Sequence, residues 1–311
     1  MYLVTGGAGF IGSNIVEALV RKGERVRILD DFSSGIREHL AAVKDRVEII
    51  EGDLRDLETV RRAVAGVTHI SHQAALRSVP RSVDDPLSTD AVNTHGTLQL
   101  LVAAREAKTV RRVVYASSSS AYGDSPALPK VEDQTPAPIS PYAVAKLAAE
   151  HYCRTFSHLY GLETVSLRYF NVFGPKQSPD SKYAAVVPLF MRAALRDEPI
   201  VVHGDGEQSR DFTYIDNVVQ ANLLSLATPG VGGEVFNIAC NSRHSVLEIA
   251  RTVEKLLGRK VTIEHGPPRS GDVRHTQASI EKAERLLNYR PTVGFEEGMR
   301  RTFDYVRTHL T

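Results

Sequence analysis

Cysteine is nearly missing: Cys153 and Cys240 are the only two in 311 residues, far apart and without metal-ligand spacing. That argues against a disulfide scaffold and fits a reduced intracellular compartment. No charge of one sign dominates. Lys plus Arg total 38 against 37 Asp plus Glu, a formal net charge of +1, and neither excess gathers in a tail, so nucleic acid is not an expected partner. No apolar run approaches the ~20 residues needed to cross a bilayer, and the chain opens in a core strand without a charged leader before an apolar stretch. A cytoplasmic protein without membrane contact is therefore expected. The eleven histidines show neither H-x-x-x-H spacing nor a Ser/His/Asp order, so no metal site and no acyl-transfer chemistry are indicated. His72 and His95 read as structural. Internal repeats and low-complexity tracts are absent as well.

What is present is a strand-like run, Tyr2-Leu3-Val4-Thr5, that opens into Gly6-Gly7-Ala8-Gly9-Phe10-Ile11-Gly12. Glycines between a first strand and a first helix let backbone N–H groups approach a pyrophosphate, with the helix N-terminus facing the negative charge. The glycines fit two templates, G-x-G-x-x-G through Gly7, Gly9 and Gly12 and G-x-x-G-x-x-G through Gly6, Gly9 and Gly12. Alone, either also suits a turn that merely packs a helix on a sheet. Context adds weight: Ile11, Ile15, Ala18 and Leu19 share one helical face, and Gly23 suits the helix end. A second strand from Arg25 ends in Asp30, about 20 positions beyond the glycines, where ribose hydroxyls are gripped. A 2′-phosphate would meet the Asp30 charge, so NAD is favoured over NADP.

The length suggests one large α/β unit with a smaller appended part. Apolar runs at 47–51, 67–72, 112–117 and 163–169 alternate with helix-compatible segments, which predicts a doubly wound parallel sheet. Ligands bind at the carboxyl ends of such strands, marked here by Asp53-Leu54, His72-Gln73-Ala74-Ala75 and Ser117-Ser118-Ser119-Ser120. After about Asn171 the pattern turns irregular, with Pro175, Pro179, Pro188, Gly204-Asp205-Gly206 and glycines at 230–233. That half is expected to cover the substrate. Residues 1–171 would form the NAD-binding domain, with segments near 209–240 returning to it, and 172–311 a smaller, discontinuous substrate-binding domain.

Prolines at 129, 136, 138 and 141 rule out a regular helix over 128–141, which reads as an exposed loop. Ser140 is placed to cap, and Pro141 to begin, a long helix on which Tyr142 and Lys146 share a face. Tyrosine has a reference pKa near 10, so a phenol acts as a base at neutral pH only if its anion is stabilised. A lysine one turn away and the positive nicotinamide ring would do so, and the serines at 117–120 supply a hydroxyl for a substrate oxygen. The chemistry that results is metal-free oxidation of a secondary alcohol. Y-x-x-x-K is common on solvated helix faces; its place after the glycine turn, Asp30 and the serines gives it meaning. Asn93, in Val92-Asn93-Thr94-His95-Gly96-Thr97, reads as a helix-start residue that also serves the cofactor end of the site.

These residues resemble a known family. T-G-G-A-G-F-I-G, the H-Q-A-A at 72–75, S-S-S-S-A-Y-G at 117–123, Y-A-V-A-K at 142–146 and L-R-Y-F-N-V-F-G at 167–174 are similar to extended short-chain dehydrogenases/reductases, a Rossmann-type fold. Within that family they resemble most the NAD-dependent nucleotide-sugar 4-epimerases related to UDP-galactose 4-epimerase. S-R-D-F-T-Y-I-D at 209–216 and R-S-G-D-V-R at 269–274 extend the likeness over essentially the whole chain. The resemblance implies permanently bound NAD, a UDP-sugar substrate and no net redox change: Tyr142 takes the 4-OH proton, the C4 hydride passes to NAD, and it returns to the other face of a transient 4-ketose. It implies that Lys146 holds the nicotinamide ribose and depresses the tyrosine pKa, and that Ser118 is the catalytic serine, with Ser119 and Ser120 close by and the choice among the three open. For NAD it carries over Gly6, Gly9, Phe10, Ile11, Gly12, Asp30, Asp53, Leu54, Ala74, Ala75, Arg77, Asn93 and Phe170. For the UDP-sugar it carries over Asn171, Val187, His203, Arg210 and Arg269, with Asp272 near the nucleotide ribose.

Ser78-Val79-Pro80-Arg81-Ser82 and the segment 174–183 look most like epimerases acting on UDP-N-acetylglucosamine and its galacto partner. Thr276 falls where glucose-restricted members place a bulky tyrosine, which leaves room for an N-acetyl group without demanding one. UDP-glucuronate 4-epimerases share the S-V-P-R-S pattern, and Lys176 and Lys182 are the available partners for a C6 carboxylate. A 4,6-dehydratase needs an Asp-Glu pair where this chain has Ser119 and Ser120; a decarboxylase and a non-enzymatic NAD-sensing protein are further alternatives. The family usually dimerises through two helices per subunit, which would be those near 95–108 and 142–160, with Leu98, Leu101 and Val102 compatible with such packing. A homodimer is expected.

Overall fold

The computed structural model describes residues 1–179, 185–267 and 273–309. Seven parallel strands form one sheet in the order Val235–Ile238, Glu163–Tyr169, Arg112–Ser118, His69–His72, Tyr2–Thr5, Val26–Asp30, Val47–Glu51. Both faces of the central strands are covered, so those strands are largely buried on both sides, while the edge strand Val47–Glu51 stays partly exposed. Leu3 packs with Ile70, Val113 and Leu100 in one layer, while Val4 packs with Ile28 and Ile15 in the other. Helices Leu57–Val64, Thr97–Ala107 and Pro141–Tyr160 cover the first face, and Phe10–Arg21 and Ile215–Ala227 the second. The doubly wound sheet expected from the alternating runs is thus observed. Two strands coincide with the expected 47–51 and 163–169; the run at 67–72 becomes a strand only at His69, and the serine strand extends one residue further, to Ser118.

The chain moves outward from Tyr2–Thr5 through two strands and then returns on its other side at His69–His72. The strand order reverses there, and a crevice opens at the carboxyl ends of those two strands. Gly6 closes it at φ +65°, and a Cβ on Gly6 would lie 2.7 Å from the Ala74 nitrogen. A Cβ on Gly12 would lie 2.1 Å from the Gly6 oxygen. Only glycine permits this crossing of turn and helix.

Ser140 caps the helix Pro141–Tyr160, its Oγ accepting from Ala143 N at 3.2 Å, and Gly161 ends it at φ +65°. The preceding loop is largely exposed, as its prolines suggest, except at Lys130. Lys130 is 1% exposed; its backbone N donates to Gln277 O and its carbonyl accepts from Ser279 N, which ties the loop to the C-terminal half. That half contains helices Val186–Leu195, Val246–Leu257 and Phe295–His309 beside the parallel strands Ile200–His203 and Ile263–Gly266. Pro188, expected in an irregular turn, sits in the first turn of Val186–Leu195, where its missing N–H leaves no bond unmade. One continuous core joins Val114, Leu167 and Phe236 of the sheet to Phe173, Phe190, Val253 and Phe303.

Candidate active site

A cleft follows the crevice from Asp30 and Asp53 past Gly6, Gly9, Phe10, Ile11 and Gly12 to Arg77, Tyr142 and Lys146. Gly9 is the N-cap of the first helix and brings no capping side chain, so the N–H groups of that first turn face the cleft with their partial positive charge. Asp30 accepts from Ala8 N at 2.8 Å and Phe32 N at 2.9 Å. Burial raises its pKa, and those two N–H groups oppose the rise. Each oxygen keeps a further lone pair for a ligand hydroxyl. Asp53 is gripped by the Arg55 guanidinium, which holds its carboxyl below the usual range. Leu54, Ala74 and Ala75 complete this stretch. Glycine turn, open helix N-terminus and acidic strand end together fit NAD.

At the other end, Tyr142 lines the cleft from the first turn of its helix. Enclosure raises its phenol pKa; a hydrogen bond with Ser118 and the nearby Arg77 guanidinium lower it. Lys146 is 4% exposed, is pushed down to about 7 by burial, and donates from Nζ to Ala116 O at 2.8 Å. Its expected influence on the phenol is therefore corrected: the lysine faces a strand carbonyl, and Ser118 and Arg77 are what stabilise the phenolate. The serines separate by partner. Ser118 meets Tyr142 and accepts from Ser120 N at 3.2 Å and Ser120 Oγ at 2.9 Å; Ser117 donates instead to Glu150 at 2.7 Å; Ser119 begins the short turn that follows.

Asn93 does not start a helix. It lies in a π-helical turn, Ala91–Gly96, inside a continuous helical stretch, and its amide bonds both Leu76 N (2.8 Å) and Leu76 O (2.9 Å). It acts on the cleft by holding the segment that carries Ala74, Ala75 and Arg77. Beneath it His72 is bonded to Thr5 Oγ1 (2.6 Å) and Thr97 Oγ1 (2.9 Å). Thr97 donates its own proton to Asn93 O at 2.7 Å, so it accepts from His72 Nε2–H, and His72 is a neutral imidazole fully used. Burial pushes its pKa down to about 3. His95 pairs with Gln99 at the surface. Phe170 is buried in the core and does not reach the cleft wall.

A second cavity brings together Asn171, Val187, His203 and Arg210. Asn171 adopts φ +31° and donates to Asp211 O at 3.3 Å; His203 Nδ1 donates to Pro267 O at 3.0 Å; Arg210 Nη1 donates to Ser209 O and Arg274 O. Arg269, Asp272 and Lys182 lie outside the described residues. Thr276 is off the walls of both cavities; its backbone bonds Ser209, and its buried Oγ1 has no partner. Lys176 is removed from the candidates for a sugar carboxylate, because its Nζ is bound to Glu17 at 2.5 Å and to His39 O at 2.9 Å.

The sequence reading missed Ser33, Ser34 and Gly35, which line the adenosine end and follow Asp30 directly, and Tyr169, which lines the opposite end beside the expected Gln73. Tyr169 Oη donates to Gln73 Oε1 at 3.2 Å and accepts from Asn222 Nδ2 at 2.8 Å. No local signal marks Asn222, which arrives from a helix about 150 residues on. Among the described residues no cluster of three His, Cys, Asp or Glu groups could hold a metal, and no helix is long and apolar enough to cross a membrane.

Comparison with known proteins supplies the wider setting. The profile of the NAD dependent epimerase/dehydratase family matches residues 2–239. A protein of Mycolicibacterium smegmatis named UDP-glucose 4-epimerase is 39% identical, with 98% of each chain covered. The UDP-glucose 4-epimerase of Thermotoga maritima, solved with UDP-glucose, superposes with a TM-score of 0.95 at 37% identity over 100% of this chain and 99% of that one. The UDP-N-acetylglucosamine 4-epimerase of Methanobrevibacter ruminantium, solved with UDP-N-acetylmuramic acid, gives 0.94 at 37% identity over 99% and 98%.

Proposed function

Because the chain belongs to the NAD dependent epimerase/dehydratase family, we propose that it is a UDP-hexose 4-epimerase. Its preferred pair is UDP-N-acetylglucosamine and UDP-N-acetylgalactosamine, and it also accepts UDP-glucose and UDP-galactose. NAD, when bound in the first cleft, supplies a reversible hydride acceptor. The chain's own residues do the rest. Tyr142 takes the proton of the sugar 4-hydroxyl at its phenol oxygen, and Ser118, bonded to that phenol, shares the same substrate oxygen. Lys146, held by Ala116 O, stands at the cofactor ribose, and the segment 73–77 closes the site beside it. Arg210, with Asn171, Val187 and His203, receives the UDP diphosphate and uridine, a guanidinium being suited to bidentate phosphate contact. Arg269 and Asp272 would join them. The observation that carries the reading is the placing of Tyr142 and Lys146 together on the wall of a dinucleotide cleft, at the far end from Asp30.

Among the described residues the competing chemistries lack their groups. A dehydratase needs proton-transfer side chains at 119 and 120, and the Ser120 hydroxyl is spent on Ser118. A glucuronate enzyme needs a cation for the C6 carboxylate, and Lys176 is paired with Glu17. A decarboxylase acting on UDP-glucuronate needs that carboxylate held as well.

We place the enzyme in the cytoplasm, consistent with its two free thiols, and read it as a homodimer. Val83 (64% exposed) and Leu87 (82%) stand beside the helix that exposes Val144 and Leu159, an apolar face that a second copy would cover. Leu101 is fully buried and Leu98 and Val102 pack against the core, so the helix Thr97–Ala107 contributes less to that face than expected.

The deciding experiment incubates the purified protein with UDP-N-acetylglucosamine, UDP-glucose or UDP-glucuronate without added NAD and resolves the products by chromatography. The galacto epimers of the first two are expected. A 6-deoxy-4-keto product, released carbon dioxide or no 4-epimer at all would overturn the reading.

A further inference from the structure

Tyr142, Lys146 and Glu150 follow one another at four-residue intervals on one face of the helix Pro141–Tyr160. The first two line the cleft, and the third lies behind it, 3% exposed. Its carboxylate is shared between two strands. Glu150 Oε2 accepts from Ser117 Oγ at 2.7 Å and from Arg168 Nε at 3.0 Å, and Oε1 accepts from Arg168 Nη2 at 2.7 Å. Ser117 and Arg168 are register partners on neighbouring strands, and the residue after Ser117 is the serine that meets the Tyr142 phenol. One turn nearer the phenol, Lys146 Nζ binds Ala116 O, and Tyr115 Oη donates to Lys146 O at 3.3 Å. The helix is thus stitched to the serine strand at successive residues, and only the Glu150 stitch is ionic.

The guanidinium carries the connection onward. It lies 4.7 Å over the Tyr122 ring, whose hydroxyl donates to Asn237 Oδ1 at 2.7 Å; Asn237 in turn bonds Glu132 Oε1 and the carbonyls of Lys130 and Ser279. Every polar atom in this set is accounted for, the condition under which a buried network fixes a single arrangement. A buried ion pair adds little net stability compared with apolar residues of the same volume, so its worth lies elsewhere.

We propose that Glu150, through Ser117 and Arg168, is a positioning residue that sets the distance and angle between Ser118 and Tyr142. The proposal rests on the assignment of those two residues given above. Without the carboxylate the helix is free to shift along the serine strand, and the hydrogen bond through which the phenol and serine share the sugar oxygen is lost. Proton transfer is sensitive to such displacement, whereas the UDP contacts, and the cofactor contacts other than Tyr142 and Lys146, lie on other elements.

The test compares the double variant E150Q/R168M, which removes both charges together so that neither is left buried alone, with S117A, which leaves the ion pair intact. Each is measured for melting temperature, NAD content of the purified protein, and kcat and KM on UDP-glucose. The expected result for the double variant is retained fold and NAD, KM within about twofold and kcat lowered ~10- to 100-fold; for S117A it is an unchanged melting temperature and kcat lowered several-fold. Wild-type kcat in the folded double variant, or defects confined to KM, overturns the proposal. Should the double variant not fold, S117A decides alone: lowered kcat at unchanged KM supports it, and wild-type kcat overturns it. Tyr142→Phe is run in parallel, since wild-type turnover there would remove the underlying assignment rather than the role of Glu150.

Discussion

The two cavities are built by opposite means. The NAD cleft is walled by the ends of regular elements: strand ends at Thr5, Asp30 and His72, the open N-terminus of the first helix, and the first turns of a long one. The second cavity is walled by strands of two to four residues, loops, a left-handed asparagine and the first turns of two helices. Sheet topology dictates where the first must lie. Nothing so general dictates the second. In the reading proposed above, the cofactor is held by what sheet topology dictates and the sugar nucleotide by local turns and short strands. The consequence is a division of labour: changes in the first cavity should act on kcat, and changes in the second on KM.

The largest test is Tyr142→Phe, which keeps the ring and removes the proton acceptor. kcat should fall by at least ~100-fold, with bound NAD and KM little changed. A rise in KM with preserved kcat would break the division. Arg210→Ala tests it from the other side. Charge-assisted hydrogen bonds contribute ~1.5–3 kcal/mol, so affinity for UDP measured by calorimetry should weaken ~10- to 100-fold while kcat at saturation changes far less. A large loss of kcat would show that the second cavity shapes the chemistry as well.

Arg77→Met sharpens the comparison within the first cavity. The guanidinium lowers the pKa of the Tyr142 phenol, so its removal lets enclosure raise that pKa further. The base form is then reached only at higher pH. The rising limb of kcat against pH should move to higher pH, and a shift of one unit would lower kcat at neutral pH about tenfold. An unmoved limb would mean that Ser118 alone governs the phenol.

The same division explains what was legible in the sequence. The glycine turn, Asp30, the serine strand and the Ser140-Pro141 helix start each rest on a local rule of backbone chemistry, and each was placed to within a residue or two. Asn93 was misplaced because a π-helical turn has no composition signal distinct from a helix start. Lys146 was credited with an effect on the phenol because spacing brings two side chains to one face but does not say which way an ammonium turns; here it found a carbonyl. Lys176 was counted as available for a similar reason, since its partner Glu17 is about 160 residues away. Glu150 was readable in principle, four residues beyond Lys146. Only its enclosure by Ser117 and Arg168 gives that spacing a meaning.

The smallest effect concerns the foundation of the first cavity. His72 has a folded pKa of about 3 against an ordinary value near 6.5, because it is enclosed and lies near the Lys146 ammonium. Below the ordinary value the unfolded chain takes up a proton that the folded chain refuses. The contribution of His72 is therefore complete above pH ~6.5 and is lost as pH falls, by up to ~1.4 kcal/mol per unit. His72→Gln has no proton to take up there. The stability lead of the wild type over this variant should shrink by ~1 kcal/mol between pH 7 and pH 5.5, about 2 °C in melting temperature by calorimetry. A constant lead would mean that the imidazole is protonated without penalty. Because His72 supports the segment carrying Arg77 through Thr97 and Asn93, acid should loosen NAD before it weakens UDP binding, whose cavity contains no part of this chain of bonds.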